Sequence, residues 1–167
     1  MPNGRQIDGR APVLERAYSD LHEHLEALDK AGLLVKIDRP INKDTEMHPL
    51  VRWQFRGGID ERDRKAFLFT NVIDSKGRKY DMPVVVGALA ANREIYCIGM
   101  GCPLDRINDV WNQAIANPIP PRVVEEDAPC HEIVITGRDL DRDGQALDGL
   151  PVPISTPGFD AAPYLTA

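Results

Sequence analysis

Proline fixes its own φ and cannot donate a hydrogen bond to a helix or a sheet ladder, so its placement sets where regular structure can run. This chain carries 14 prolines in 167 residues, and eight of them lie from Pro118 onward. Regular helices and strands are therefore expected mainly before that point. The last nineteen residues, Gly149 to Ala167, form a strand-like run interrupted by Pro151, Pro153, Pro157 and Pro163. Tyr164-Leu165-Thr166 has strand propensity and no following segment to pair with. The expectation is a strand edge whose site is incomplete within these residues.

A chain of 167 residues fits one domain, or one domain and the start of another, and can bury roughly two thirds of its unfolded surface. Hydrophobic content of 43% and charged content of 28% are those of a globular protein. The net charge of −6 argues against a nucleic-acid partner, because phosphate neutralisation needs a Lys/Arg patch. The densest basic run, Arg62 to Lys65, is diluted by Asp60, Glu61 and Asp63. No apolar stretch reaches the ~18 residues that span a bilayer, so no membrane partner is expected. Three cysteines, Cys97, Cys102 and Cys130, suit reduced thiols better than a disulfide framework, and the location read from this is cytoplasmic.

Residues 1–17, with Pro2, Gly4, Gly9 and Pro12, read as a flexible leader. Ser19 as N-cap, Leu21, Leu25 and Leu28 at helical spacing and Gly32 as terminator predict an amphipathic helix over 20–31. Leu33–Ile37 reads as a buried strand ended by Pro40. Glu46–Phe55 reads as a second helix with Pro49 in its first turn, closed by Gly57-Gly58. Ala66–Phe69 and Pro83–Gly87 are strand-like and flank a turn at Ser75–Arg78, which predicts a small mixed sheet. Asn92–Ile98 is a short helix, and Leu104–Ile115 a longer one with Leu104, Ile107, Trp111, Ala114 and Ile115 on one face and Pro118 as its stop. A boundary is expected near 118–129, followed by a strand at Glu132–Thr136, an acidic turn and the proline-interrupted strand. The fold class is thus α/β (α+β).

Several constellations were weighed for chemistry. Asp139, Asp141, Asp143 and Gly144 match the opening of a calcium-binding loop, but Leu150 stands where a bidentate Glu is needed, so an acidic turn is favoured. His22 and His24 lie two apart on the first helix, diverge, and read as solvated. His48 and His131 have no partner at ligand spacing. Cys130-His131 diverge across a strand. Cys97 and Cys102 straddle Gly99-Met100-Gly101 and read as buried small hydrophobes beside a tight helix-to-helix turn. Trp53 and Trp111 lie on apolar helical faces and read as core. No Ser/His/Asp set or paired catalytic carboxylates can be picked out.

Four stretches nevertheless resemble one family in order and spacing. They are Asp20–Pro40, Phe67–Val72 with Met82–Gly87, Pro129–Val134, and Leu150–Thr166, the last being the most specific. The family is that of the UbiD-like (de)carboxylases, which use prenylated FMN. The resemblance implies an N-terminal mixed α/β domain over 18–127 and, over 128–167, the first strands of a split β-barrel that holds the flavin. It implies non-oxidative decarboxylation of an aromatic or α,β-unsaturated carboxylic acid, where the flavin is the electron sink for the carbanion-like centre left behind. Prenylated FMN with a divalent metal, manganese, and potassium is the implied cofactor set, and a homo-oligomer or a complementary C-terminal portion the implied partner.

In that family the Asn, His and Glu metal ligands and the Glu/Arg/Glu network lie downstream of the matching stretches. No catalytic or metal residue is therefore carried over; only Thr166, matching a threonine that lines the flavin pocket, is. The isolated chain is expected to bind no flavin tightly and to be inactive. Two rival readings are a non-catalytic scaffold subunit of a multi-subunit enzyme and a small split-barrel flavin reductase-like protein. The second is disfavoured because too few strands follow the linker to close a barrel.

Overall fold

The computed structural model describes residues 18–121, 123, 128 and 131–154. Helix α1 (Leu21–Lys30) starts at Asp20, not Ser19: the Asp20 carboxylate accepts from the Glu23 amide at 2.9 Å, and the Glu23 carboxylate accepts from the Ser19 amide at 2.7 Å. At its other end the Gly32 amide donates to Asp29 and the Leu33 amide to Leu28, a paired C-terminal closure that requires the positive φ of Gly32. The chain then turns directly into strand β1 (Leu34–Ile37).

Strand β1 pairs in parallel with β3 (Ala66–Phe69), and β3 pairs antiparallel with β6 (Val84–Val86), giving a mixed sheet ordered β1-β3-β6. A second small sheet, which the sequence did not suggest, is built from β2 (Ile41–Asn42), β4 (Val72–Ile73) and β5 (Lys79–Tyr80). Its β4–β5 hairpin contains the Ser75–Arg78 turn.

Strand alternation sends successive side chains to opposite faces, and the first sheet uses both. On one face Leu34, Ala66 and Val85 pack with Leu28 of α1 and Ile95 of α3 (Arg93–Met100). On the other, Ile37, Phe67, Phe69, Val84 and Val86 meet Met47 and Val51 of α2 (Met47–Arg56) and Ile41, Val72 and Tyr80 of the second sheet. Gln54 of α2 is buried yet satisfied: its amide donates to the Lys65 carbonyl at 2.9 Å and accepts from the Lys65 amide at 2.8 Å. That reciprocal pair fixes α2 against the start of β3.

Asn92 caps α3 by accepting from the Ile95 amide at 2.7 Å, and Gly101, with φ of +63°, ends it. Of the glycines of Ile98–Cys102, Gly101 thus does serve the helix-to-helix turn, whereas Gly99 lies within α3. A 3₁₀ turn at Leu104–Arg106 leads into α4 (Ile107–Ala116). No residue of α4 is fully buried, and Trp111 and Ile115 are exposed. Trp111 is therefore not a core residue; its indole N–H instead donates to the Tyr96 hydroxyl on α3. Trp53 is 68% exposed as well, because the buried face of α2 runs through Met47, Val51 and Gln54, and its indole lies over the backbone of Gly57.

Beyond α4, the expected strand at Glu132–Thr136 is absent: these residues are irregular, with Ile133 and Val134 exposed. They have no described neighbour strand to supply a ladder. Two 3₁₀ turns follow, at Gly137–Asp141 and Leu147–Gly149.

Candidate functional site

The densest polar cluster lies where the second sheet meets the segment after residue 142. Lys43, at the end of β2, is buried, and its ammonium donates to Asp44 at 2.6 Å while lying 5.7 Å from the Tyr80 ring centre. The other Asp44 oxygen accepts from the Ser75 amide at 3.0 Å. Burial pushes the Asp44 carboxyl up, but the bonds and charge of Lys43 and the Ser75 amide outweigh it and hold the group below the usual range. Asp74 is lowered in the same way: burial is outweighed by the amides of Arg78 and Lys76 and by the Tyr80 hydroxyl, which donates at 3.2 Å. Burial and the Asp74 carboxylate together push the Tyr80 phenol up.

Arg78 extends this cluster to the far end of the chain. Its guanidinium donates to the Asp148 carboxylate at 2.9 Å, to the Asp148 carbonyl at 3.1 Å and to Asp143. Asp148 also accepts from the Gly144 amide at 2.9 Å, and that bond, then Arg78, holds its carboxyl below the usual carboxylate range. Gly149 is packed so closely that an added Cβ would stand 2.2 Å from the Gly144 carbonyl oxygen. The Ile154 amide reaches the Lys43 carbonyl at 3.3 Å, so the proline-rich run is fastened to β2 as well. An open groove of about 530 Å³ lies beside this clasp, lined by Arg78, Tyr80, Met82, Gly144 and Gly149 among others.

Every charged group of the clasp has a partner. It can hold chain against chain, and it offers no unpaired base or nucleophile for chemistry. Two of the three acidic residues that open like a calcium loop are used the same way: Asp139 pairs with Arg142 at 2.9 Å and Asp143 with Arg78. Among the described residues no three His, Cys, Asp or Glu side chains converge on a point where a metal could sit.

The other candidates are dispersed. His22 is exposed, but His24 is fully buried, contrary to the solvated reading. The buried stripe of α1 runs through His24 and Leu28, four residues apart, and leaves Leu21 exposed. The His24 ring donates from Nε2 to the Ala88 carbonyl at 2.7 Å, lies 4.5 Å from the Tyr18 ring centre at a tilt of 34° and leaves Nδ1 without a partner among the described residues. His48 is half-buried in the first turn of α2 and His131 is exposed. Cys97 and Cys102 are free and half-buried, and burial pushes the Cys97 thiol up, away from nucleophilic thiolate. Thr166 and Cys130 lie outside the described residues. Arg78 and Asp148 were missed because they stand 70 positions apart, and no local pattern joins them.

Residues 25–115 match the family model of the 3-octaprenyl-4-hydroxybenzoate carboxy-lyase N-terminal domain. The chain belongs to the UbiD family. Its fold agrees with that of the UbiD-class enzyme HmfF from Pelotomaculum thermopropionicum in complex with FMN, at a TM-score of 0.65 and 30% identity, over 88% of this chain and 29% of that one. An evolved dimeric form of HmfF in complex with prFMN matches at the same TM-score with 28% identity, over 88% of this chain and 30% of that one. The open form of the Sedimentibacter hydroxybenzoicus vanillic acid decarboxylase shares the fold at a TM-score of 0.51 and 24% identity, over 70% of this chain and 24% of that one. The UbiD chain described here thus spans about three tenths of the length of the HmfF chains it matches. Among its described residues no helix is long and apolar enough to cross a membrane.

Proposed function

We propose that this chain is the N-terminal, scaffold-forming portion of a UbiD-class decarboxylase that acts non-oxidatively on an aromatic or α,β-unsaturated carboxylic acid with prenylated FMN. One observation carries the reading. The family match spans residues 25–115, and the HmfF likeness covers 88% of this chain and only 29% of an enzyme whose structure holds FMN. Residues 18–127 are the α/β unit in this reading, and 128–167 open the flavin-holding split barrel, with Thr166 on the pocket wall.

When bound, prenylated FMN would take up the electron pair left as carbon dioxide departs. The described residues gather no donor set for manganese or potassium, and Asp139, Asp143 and Asp148 are already paired with arginine. No step of the reaction is therefore assigned to them. Their part is to hold the exit of the α/β unit in place.

The rival reading is a non-catalytic subunit that pairs with a flavin-holding polypeptide; the short coverage of HmfF favours it equally. The DNA after the codon for Ala167 separates the two: continuation into further UbiD-class sequence means one polypeptide, and a stop followed by a separate gene means a subunit. The biochemical test is purification of the 167-residue chain. The expected result is no flavin absorbance and no carbon dioxide release from aromatic or unsaturated acids. Stoichiometric, absorbing flavin on this chain alone would sink the claim that it is only scaffold.

A further inference from the structure

The end of α3 brings together two cysteines that the functional reading leaves unused. The Gly101 amide donates to the Ile98 carbonyl and the Cys102 amide to the Cys97 carbonyl, each at 3.2 Å, around a Gly101 φ of +63°. These two bonds make the glycine-terminated closure in which the side chain after the glycine meets the one five positions before it. The same closure at the end of α1 puts Leu28 and Leu33 in one buried cluster. On α3 the two facing side chains are thiols. Backbone bond lengths and ordinary hydrogen-bond angles put their Cα atoms about 6 Å apart, and disulfides span Cα separations of about 4.4–6.8 Å. Both cysteines are half-buried, which leaves a small reagent access to them.

We propose that Cys97 and Cys102 form a dithiol switch, oxidised by a small-molecule disulfide to an intrachain disulfide that locks the end of α3 in its native turn. The Cys102 thiolate attacks one sulfur of the small disulfide, forming a mixed disulfide as one small thiolate leaves. The Cys97 thiolate then attacks the Cys102 sulfur, which closes the protein bond and releases the second small thiolate. Each cysteine gives up one proton; the protein loses two electrons and the reagent gains them as two thiols. Cys97 is the resolving partner, because burial first and the Cys102 charge next hold its proton on. That charge is gone once Cys102 is in the mixed disulfide. The lock lies at a joint: Cys102 leads through Pro103 and the Leu104–Arg106 turn into α4, whose Trp111 donates to Tyr96 of α3. None of this depends on the functional reading above.

The test equilibrates the 167-residue chain, native and with Cys130→Ser, against mixtures of reduced and oxidised glutathione, in native buffer and in concentrated urea. Acid-quenched samples are read by intact mass and peptide mapping. The expected product in both chains is a Cys97–Cys102 link with the loss of two hydrogens. Its equilibrium constant should be about tenfold or more higher in the folded chain than in the unfolded one, because the turn presents the thiols. By linkage, oxidation should then raise the melting temperature by a few degrees. Closure should accelerate as pH rises through the thiol range. Gly101→Val places a β-branched residue at a positive φ and should bring the folded constant down toward the unfolded one. A native constant no higher than that in urea, a Cys130 disulfide in place of the link, a melting temperature lowered by oxidation, or no effect of Gly101→Val would each overturn the proposal.

Discussion

Lys43 is the residue on which most of the second sheet's polar chemistry turns. A buried ammonium is tolerable only because Asp44 sits 2.6 Å away and the Tyr80 ring lies near it. Lys43→Met keeps the aliphatic stem but leaves the half-buried Asp44 carboxylate without its counter-ion. The expected cost is about 2 kcal/mol, measured by urea denaturation. Asp44 and Asp74 also give the fold an acid limit. Both are held below their unfolded value, so their stabilisation is complete above about pH 4 and is lost as pH falls through the lower folded values. Melting temperature should drop below pH 4 and be flatter there in Lys43→Met. None of this was legible in the sequence, where no local pattern singles out Lys43 or Asp44. The same holds for His24 and Trp53: each helix was found, but the angle of its buried stripe was set by tertiary packing that spacing alone does not give.

Helix starts and stops, by contrast, were close to legible, because a cap is a local device. Asn92 and Gly101 bracket α3 as their side-chain and backbone chemistry dictates. Asn92 also carries a long-range task, donating to the Arg64 carbonyl at 2.6 Å. Asn92→Ala should therefore cost about 2 kcal/mol, more than the ~1 kcal/mol of a cap alone. Asn92→Ser, which keeps the cap and loses the long-range bond, should fall between; chemical denaturation of the two variants checks this. The strands were less legible. Those of the first sheet carry apolar runs long enough to be seen, whereas β2, β4 and β5 are two residues each and leave no periodicity. The strand expected at Glu132–Thr136 failed for the opposite reason: its apolar residues are there, but no described strand lies beside it, and β-propensity is realised only against a neighbour.

On the scale of the molecule, one sheet buried on both faces separates two hydrophobic clusters, and Arg78, in the hairpin of the second sheet, fastens the loop that carries Asp143 and Asp148. Arg78→Ala should release residues 137–149 while leaving the core intact. Trypsin cleavage at Arg138 and Arg142 should accelerate several-fold, with global stability changed by no more than about 0.5 kcal/mol. High salt should reproduce part of that effect in the native protein, since Asp143 and Asp148 are solvent-facing. Equal cleavage rates in native and variant chains would remove the clasp from this account. Gly149→Ala, which drives a Cβ into the Gly144 carbonyl, should loosen the same loop without touching an ion pair.

The separation of core and clasp along the chain also sets an order in time. Every buried hydrophobic residue among those described precedes Arg78's distant partner Asp148, and a ribosome adding 5–20 residues per second needs roughly 3–11 s to travel from Ile95 to Asp148. Small mixed α/β units fold faster than that. The nascent α/β unit can thus be complete, with Arg78 presented on its surface, before the acidic loop emerges, so the later segment meets a finished template instead of competing with the core for its own strands.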